Sequence, residues 1–269
     1  MERKINHLSI CYTLFLILLL LSGSLEGIFS KVAYAAAFLL PIVLGLWLSK
    51  DSEVEEKSFL SISKTDLKFT LPLITPTVVV IMVISLVTSA VIAVVTGAKN
   101  TVDVGESFVF AIISHALIPS ILEEVLFRYI PMKILSDESK RVTVIASALF
   151  FALSHHSLFS IPYAFVAGVI FMAIDLKAKS IIPSFLVHFI NNAISIGLLV
   201  YADNPAFAPS IAIILGVLLV ISVVFLAKNK QKYIFEAKKI FKNPDKILYT
   251  LPLMMFVIFS LFIAVISLM

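Results

Sequence analysis

Glu123 and Glu124 stand side by side in the stretch SILEEVLFRYIP (residues 120–131), which is otherwise apolar enough to cross a membrane; Arg128 follows one turn later. Of the 17 acidic residues in the chain, only these two fall deep within a hydrophobic run. An ionisable side chain at mid-bilayer costs about 2.5–3.5 kcal/mol on insertion scales, so two adjacent carboxylates demand a reason. Chemistry is the strongest one. Two further polar groups interrupt apolar runs: LFFALSHH brings Phe151, His155 and His156, and FLVHFINN brings His188, Asn191 and Asn192.

Helical geometry sorts these residues. At 100° per residue Glu123 and Glu124 diverge, so the two are not expected to share a target. Glu124 and Arg128 are spaced i, i+4 and can pair on one face, which leaves Glu123 to face a cavity. His188 and Asn192 share a face by the same spacing, with Asn191 pointing elsewhere, and Phe151 lies one turn before His155. A carboxylate and an imidazole on facing helices can hold a water and take its proton, making a nucleophile for a peptide carbonyl. A second imidazole and an amide can donate to the tetrahedral oxyanion. Glu123 with His155 suits the first task, and His188 with Asn192 the second. This chemistry demands no cofactor, although Glu123, His155 and His188 are also a zinc-competent donor set. No Gly-x-Ser-x-Gly sequence and no membrane-embedded aspartate pair are present, which disfavours serine and aspartyl mechanisms.

The elements that must position these residues are membrane helices. The chain has 269 residues, 60% of them hydrophobic and 14% charged, with a mean hydropathy of +1.08. A soluble domain could not solvate that surface. Nine runs read as spans, near 8–23, 28–49, 70–97, 107–132, 142–157, 159–175, 181–201, 208–227 and 248–269, so the predicted fold is an all-α polytopic bundle of about eight or nine transmembrane helices. The first run resembles a retained signal-anchor. With the N-terminus in the cytoplasm, 18 of the 21 basic residues fall in cytoplasmic segments; Lys31 and Lys99 lie opposite and Arg128 is within the membrane. The pI of 9.0 therefore reports topology and contact with the lipid bilayer, and no nucleic-acid partner is expected. Residues 228–247 alternate basic and apolar positions, as a cytoplasmic surface helix would. Cys11, the lone cysteine, permits no internal disulfide.

Depths along the helices are compatible with one site. Glu123 is ten residues from Lys133 and His188 nine from Lys179, so both lie about 13–15 Å from the cytoplasmic boundary; His155 is about 21 Å from Arg141. Pro119, one turn before Glu123, has no N–H to offer the carbonyl of His115 and is expected to kink the helix.

Taken together, Glu123-Glu124-x-x-x-Arg128, Phe151-x-x-x-His155 and His188-x-x-x-Asn192 resemble the three signatures of the CAAX protease and bacteriocin-processing family. That family includes type II CAAX prenyl endopeptidases and many bacterial self-immunity proteins. The resemblance covers about 107–200, flanked by motif-free helices over 1–106 and 201–269. It implies an intramembrane glutamate protease, once classed with the metalloproteases, in a bacterial plasma membrane. On this resemblance Glu123 is the base, His155 helps to hold water, and His188 with Asn192 forms the oxyanion hole. Glu124, Arg128 and Phe151 support them. The implied substrate is a peptide or membrane-anchored protein.

Plainer roles stand beside these. Glu124 and Arg128 suit a structural ion pair, His156 an interfacial position, and Asn191 interhelical hydrogen bonding. His115 suits a satisfied structural or lining role, and Asp175 a solvated helix end. The principal alternative function is a non-proteolytic membrane regulator or immunity protein that binds a partner through the same fold. A proton-coupled transporter would call for repeated halves, which the sequence lacks.

Overall fold

The computed structural model describes residues 1–50, 52, 61–97, 107–155, 157–241 and 251–266. Every regular element among them is helical. In chain order these are α1 (Glu2–Ser24), α2 (Gly27–Leu48), α3 (Lys64–Thr96), α4 (Phe108–Ile134), α5 (Lys140–Leu153), α6 (Ile161–Ala178), α7 (Ile182–Val200), α8 (Phe207–Lys228), α9 (Lys230–Phe241) and α10 (Leu251–Ile266). Seven of them are long and apolar enough to cross a membrane. The other two predicted spans hold the shorter helices α5 and α10, of 14 and 16 residues. The protein is a polytopic helical membrane protein. His156, Lys99 and residues 242–247 of the basic segment lie outside the described residues.

Local chemistry sets several boundaries. The hydroxyl of Ser63 caps α3 by accepting from the Asp66 N–H at 3.0 Å, and Gly97 ends the helix in the left-handed region at φ 71°. Ser139 caps α5 in the same way, accepting from Val142. Both α6 and α7 begin with a proline in the first turn, where its missing N–H costs nothing. Lys179, at φ 51°, turns the chain from α6 into α7 within three residues, so these helices run antiparallel side by side.

The fourth helix is the irregular one. Its α turns at Phe108–Ala111, Ile118–Glu124 and Ile130–Ile134 alternate with π-helical turns at Ile112–Leu117 and Val125–Tyr129. Widened turns thus lie before and after the segment that carries Pro119, Glu123 and Glu124. A π turn shifts carbonyls off their usual donors, and in hydrocarbon each must find another. Around the second π turn the donors come from neighbouring helices. Tyr12, fully buried on α1, gives its hydroxyl to the Leu126 carbonyl at 3.0 Å, and Ser147 on α5 gives its own to the Phe127 carbonyl at 2.5 Å.

Aromatic rings pack this junction. Tyr12 stacks on Phe127 at 5.1 Å and meets Phe150 at 4.3 Å, while Phe15 meets Phe127 edge-on at 5.5 Å. On the other side of α5, Gly168 of α6 comes so near that an added Cβ would sit 2.7 Å from the Ala148 Cα. A small residue there lets the two backbones approach, the usual device where lipid supplies no hydrophobic drive.

The segments grouped by charge in the sequence also meet in space at one end of the bundle. Lys4 pairs with Asp137, the Met1 amine with Glu138, and Lys177 with Asp66. Tyr233 of α9 donates to the Phe69 carbonyl, and Ile240 packs with Met132, Val144, Met172 and Ile181.

Candidate functional site

The centre of the polar cluster is an imidazole held between two carboxylates. His188 on α7 has Nδ1 2.7 Å from Glu124 Oε1, so Nδ1–H donates to that carboxylate. Its Nε2 then faces Glu123, 3.7 Å from Oε2. This overturns the expectation that the adjacent glutamates serve different targets. They do diverge around α4, but an imidazole carries its two nitrogens on opposite edges, and each glutamate reaches one of them. The 3.7 Å gap exceeds a hydrogen bond, whereas the 2.7 Å contact is a short, charge-assisted one.

Glu124 is fully buried and carries a second load. Its Oε2 is 3.3 Å from Nε of Arg128, and this i, i+4 ion pair is the one the spacing predicts. Arg128 is fully buried too. Its Nη1 donates to the Phe127 carbonyl at 3.3 Å and to Ser147 at 3.4 Å, and its guanidinium lies 4.3 Å above Phe151 and 5.4 Å from Phe171. Two aromatic faces and one carboxylate replace the water this cation gives up. Phe151 also meets the rings of His155 and His188 edge-on, at 4.7 and 5.8 Å. It is the common wall between guanidinium and imidazoles.

His155 stands just beyond α5, not within it. The helix ends at Leu153, and the His155 backbone N–H closes the turn onto the Ala152 carbonyl. Its Nδ1–H donates to the Phe151 carbonyl at 2.8 Å, which caps the helix and leaves Nε2 as the outward nitrogen. Glu123 itself is 19% exposed, and its Oε2 has no hydrogen-bond partner among the described residues. A buried carboxylate oxygen without a donor is costly, a condition that Oε2 of Glu124 and Oδ2 of Asp175 share among the described residues.

Asn192 lies one turn beyond His188 and is half-buried; its Oδ1 accepts from Asn191 at 3.5 Å, a weak contact. Asn191 thus leans on Asn192, and does not point away as the helical wheel suggests. His115 is exposed on the outside of α4. Asp175 corrects another expectation. It is fully buried, because the first turn of α7 covers the end of α6, and its Oδ1 accepts from the Ser184 N–H at 3.1 Å. The Ser184 hydroxyl itself donates to the Ile181 carbonyl at 3.0 Å, so Ser184 ties the first turn of α7 to Asp175 at the end of α6. Sequence reasoning missed Ser147, Ser184 and Phe171. The available hint was that Phe171 precedes Asp175, and Ser184 precedes His188, by one helical turn.

All three motifs lie inside a stretch that can be matched to known proteins. Residues 105–194 match the family model for type II CAAX prenyl endopeptidase Rce1-like proteins. The resemblance carried by the Glu-Glu, Phe-His and His-Asn signatures is therefore shown for this segment, about a third of the 269-residue chain. No curated protein and no solved structure matches. The matched family is named for CAAX prenyl endopeptidases, and the match takes in all three motifs.

Zinc was tested against the donors. No group of three or more His, Cys, Asp or Glu side chains suited to a metal converges among the described residues. His188 has one nitrogen committed to Glu124 and His155 has one committed to a carbonyl. Each ring keeps its Nε2, and a ligating histidine ordinarily donates its other N–H in this way, so these bonds leave Glu123, His155 and His188 chemically suited to zinc although they are not gathered into a three-ligand cluster.

Proposed function

We propose that the protein is an intramembrane endopeptidase that cuts a peptide or membrane-anchored protein with a water activated by Glu123. The observation carrying this reading is the Oε2 atom of Glu123, a buried carboxylate oxygen with no hydrogen-bond donor among the described residues, facing the His188 imidazole at 3.7 Å. A water bound there donates to Glu123 and is steadied by the outward Nε2 of His155. Glu123 takes its proton as the water oxygen attacks the scissile carbonyl. The tetrahedral oxyanion accepts from His188, doubly protonated so that Nδ1–H stays on Glu124 while Nε2–H turns to substrate, and from the amide of Asn192. Glu123 then passes its proton to the leaving amine. Atoms balance: water is split between the new carboxyl and amino termini.

Glu124, Arg128 and Phe151 are positioning residues in this scheme. Glu124 fixes which nitrogen of His188 faces the reacting centre, Arg128 holds Glu124, and Phe151 walls both imidazoles from lipid. Within the family's chemistry the substrate is of CAAX type or a bacteriocin-like precursor, met from the membrane. The basic residues near the N-terminus support a cytoplasmic position for that end.

The test compares membranes carrying the wild type with membranes carrying Glu123→Gln, by mass spectrometry of released peptides. A peptide released only by the wild type is the expected result. Equal release by both would remove Glu123 as base, and a phenotype untouched by Glu123→Gln and His188→Ala would favour the partner-binding alternative.

A further inference from the structure

Asp175 is a fully buried acid that the proposed reaction does not use. It stands in the last turn of α6, and it serves two helices at once. Its backbone carbonyl accepts from the N–H groups of Lys179 and Ser180, the latter at 3.3 Å, and so closes α6. Its side-chain Oδ1 accepts from the Ser184 N–H at 3.1 Å and so opens α7. The other carboxylate oxygen has no hydrogen-bond partner among the described residues.

The first turn of α7 shows how much rests on that bond. The leading N–H groups of a helix find no partner within it, and inside a membrane bundle water does not stand in. The Ile182 N–H is met by the Ser180 hydroxyl at 3.2 Å, Pro183 has no N–H, and the Phe185 N–H reaches the Ile181 carbonyl at 3.0 Å. The Ser184 N–H goes to the Asp175 carboxylate, whose negative charge also suits a helix N-terminus.

This bond lies one helical turn from the polar cluster. Ser184 precedes His188 by four residues, about 6 Å along the axis. Phe171 precedes Asp175 by the same interval, and its ring lies 5.7 Å from that of His188. Thus α6 holds α7 at two successive levels, by a hydrogen bond at Ser184 and by a ring at His188. Ring contacts accept a range of offsets, whereas a hydrogen bond is held to a few tenths of an ångström. His188 must meet Glu124 at 2.7 Å while facing Glu123 at 3.7 Å, which leaves α7 little freedom of height or rotation.

We propose that Asp175 is a positioning residue for His188. Its carboxylate anchors the first turn of α7 to the end of α6 and so sets how His188 is presented to the two glutamates. The consequence for turnover rests on the peptidase reading; the placement of His188 does not.

The experiment follows His188 by NMR in the full chain, labelled with 15N-histidine, in detergent micelles. A histidine N–H bonded this closely to a carboxylate gives a proton signal far downfield, and loss of that signal in His188→Gln assigns it. Asp175→Ser shortens the side chain and lets its hydroxyl bond the Phe171 carbonyl one turn back, which withdraws the acceptor from Ser184 without stranding a polar group on α6. Asp175→Asn keeps an acceptor oxygen in place. In Asp175→Ser and Asp175→Ala the signal should move upfield and broaden, and kcat for peptide cleavage should fall roughly 10- to 100-fold with KM within about twofold. Asp175→Asn should keep the signal and return kcat to within about threefold of wild type. Asp175→Ser keeps the test open should Asp175→Ala not fold. Absence of the signal from the wild type, or an unchanged signal or kcat in folded Asp175→Ser, overturns the proposal. Equal displacement in Asp175→Asn overturns it too, by making the charge and not the bond to Ser184 the cause. A wild type that cleaves no peptide, yet whose His188 signal moves in Asp175→Ser, would remove the peptidase reading and leave the tie between Asp175 and His188 standing.

Discussion

Adjacent glutamates in this chain should fail in opposite ways when neutralised. Glu124 is fully buried, ion-paired with a fully buried Arg128 at 3.3 Å and bonded to His188 at 2.7 Å. Glu124→Gln preserves shape but leaves the guanidinium with two aromatic faces, a hydroxyl and a carbonyl as its only company. Removing one partner of a buried pair costs about 3–5 kcal/mol, roughly a 10²- to 10⁴-fold fall in the folded-to-unfolded ratio. Glu123→Gln removes no comparable partner, since the one ion-pair approach of Glu123 among the described residues is the 3.7 Å contact with His188. It should leave stability within about 0.5 kcal/mol while lowering cleavage by roughly 10²–10⁴, the usual worth of a general base. Both are read on the same preparations: denaturant titration in detergent micelles, and cleavage of a quenched fluorescent peptide in proteoliposomes. A stable Glu124→Gln protein, or an unstable Glu123→Gln protein with full turnover per folded molecule, refutes the division of labour between the two.

Other perturbations test separate parts of the argument. Gly168→Ala places a methyl 2.7 Å from the Ala148 Cα, a backbone atom that cannot swing aside, and should destabilise by about 1–3 kcal/mol; an unchanged thermal midpoint would show that α5 and α6 do not pack that closely. Tyr12→Phe withdraws the hydroxyl from the Leu126 carbonyl and should cost about 1–3 kcal/mol in denaturant titration, for an acceptor left unmet in the core. Neutral behaviour of that variant would mean that the π turn does not need α1. Dialysis against a zinc chelator should leave peptide cleavage at its starting rate; inactivation reversed by added zinc would restore a metal role to Glu123, His155 and His188.

Much of the site was legible because the membrane makes polar residues conspicuous. Glu123, Glu124, Arg128, His155, His188 and Asn192 stood out from an apolar background, and the Glu124–Arg128 pair and the Phe151–His155 contact followed from i, i+4 spacing. The sharing of His188 by both glutamates was not legible. A helical wheel compares directions from an axis and takes no account of a ring that presents two nitrogens to two directions. The π turns were hidden for a different reason: their displaced carbonyls are met by Tyr12 and Ser147, more than a hundred and about twenty residues away from them in sequence. Asp175 was misplaced by the expectation that a charge near a span end meets water. Whether such a charge is covered depends on what the next helix does, and the first turn of α7 covers this one.

The borrowed donors of α4 bear on how the protein is made. Inserted by itself, this segment would carry two carboxylates, a guanidinium and two irregular turns into acyl chains, a poor candidate for independent entry from the translocon. Its companions are synthesised on both sides of it in time: Tyr12 is already in place, but Ser147 and His188 emerge only later. The nascent fourth segment must therefore wait beside α1, shielded, until α5 and α7 arrive. On this reasoning, assembly of the polar cluster and committed insertion of its central helix become a single late event in biogenesis.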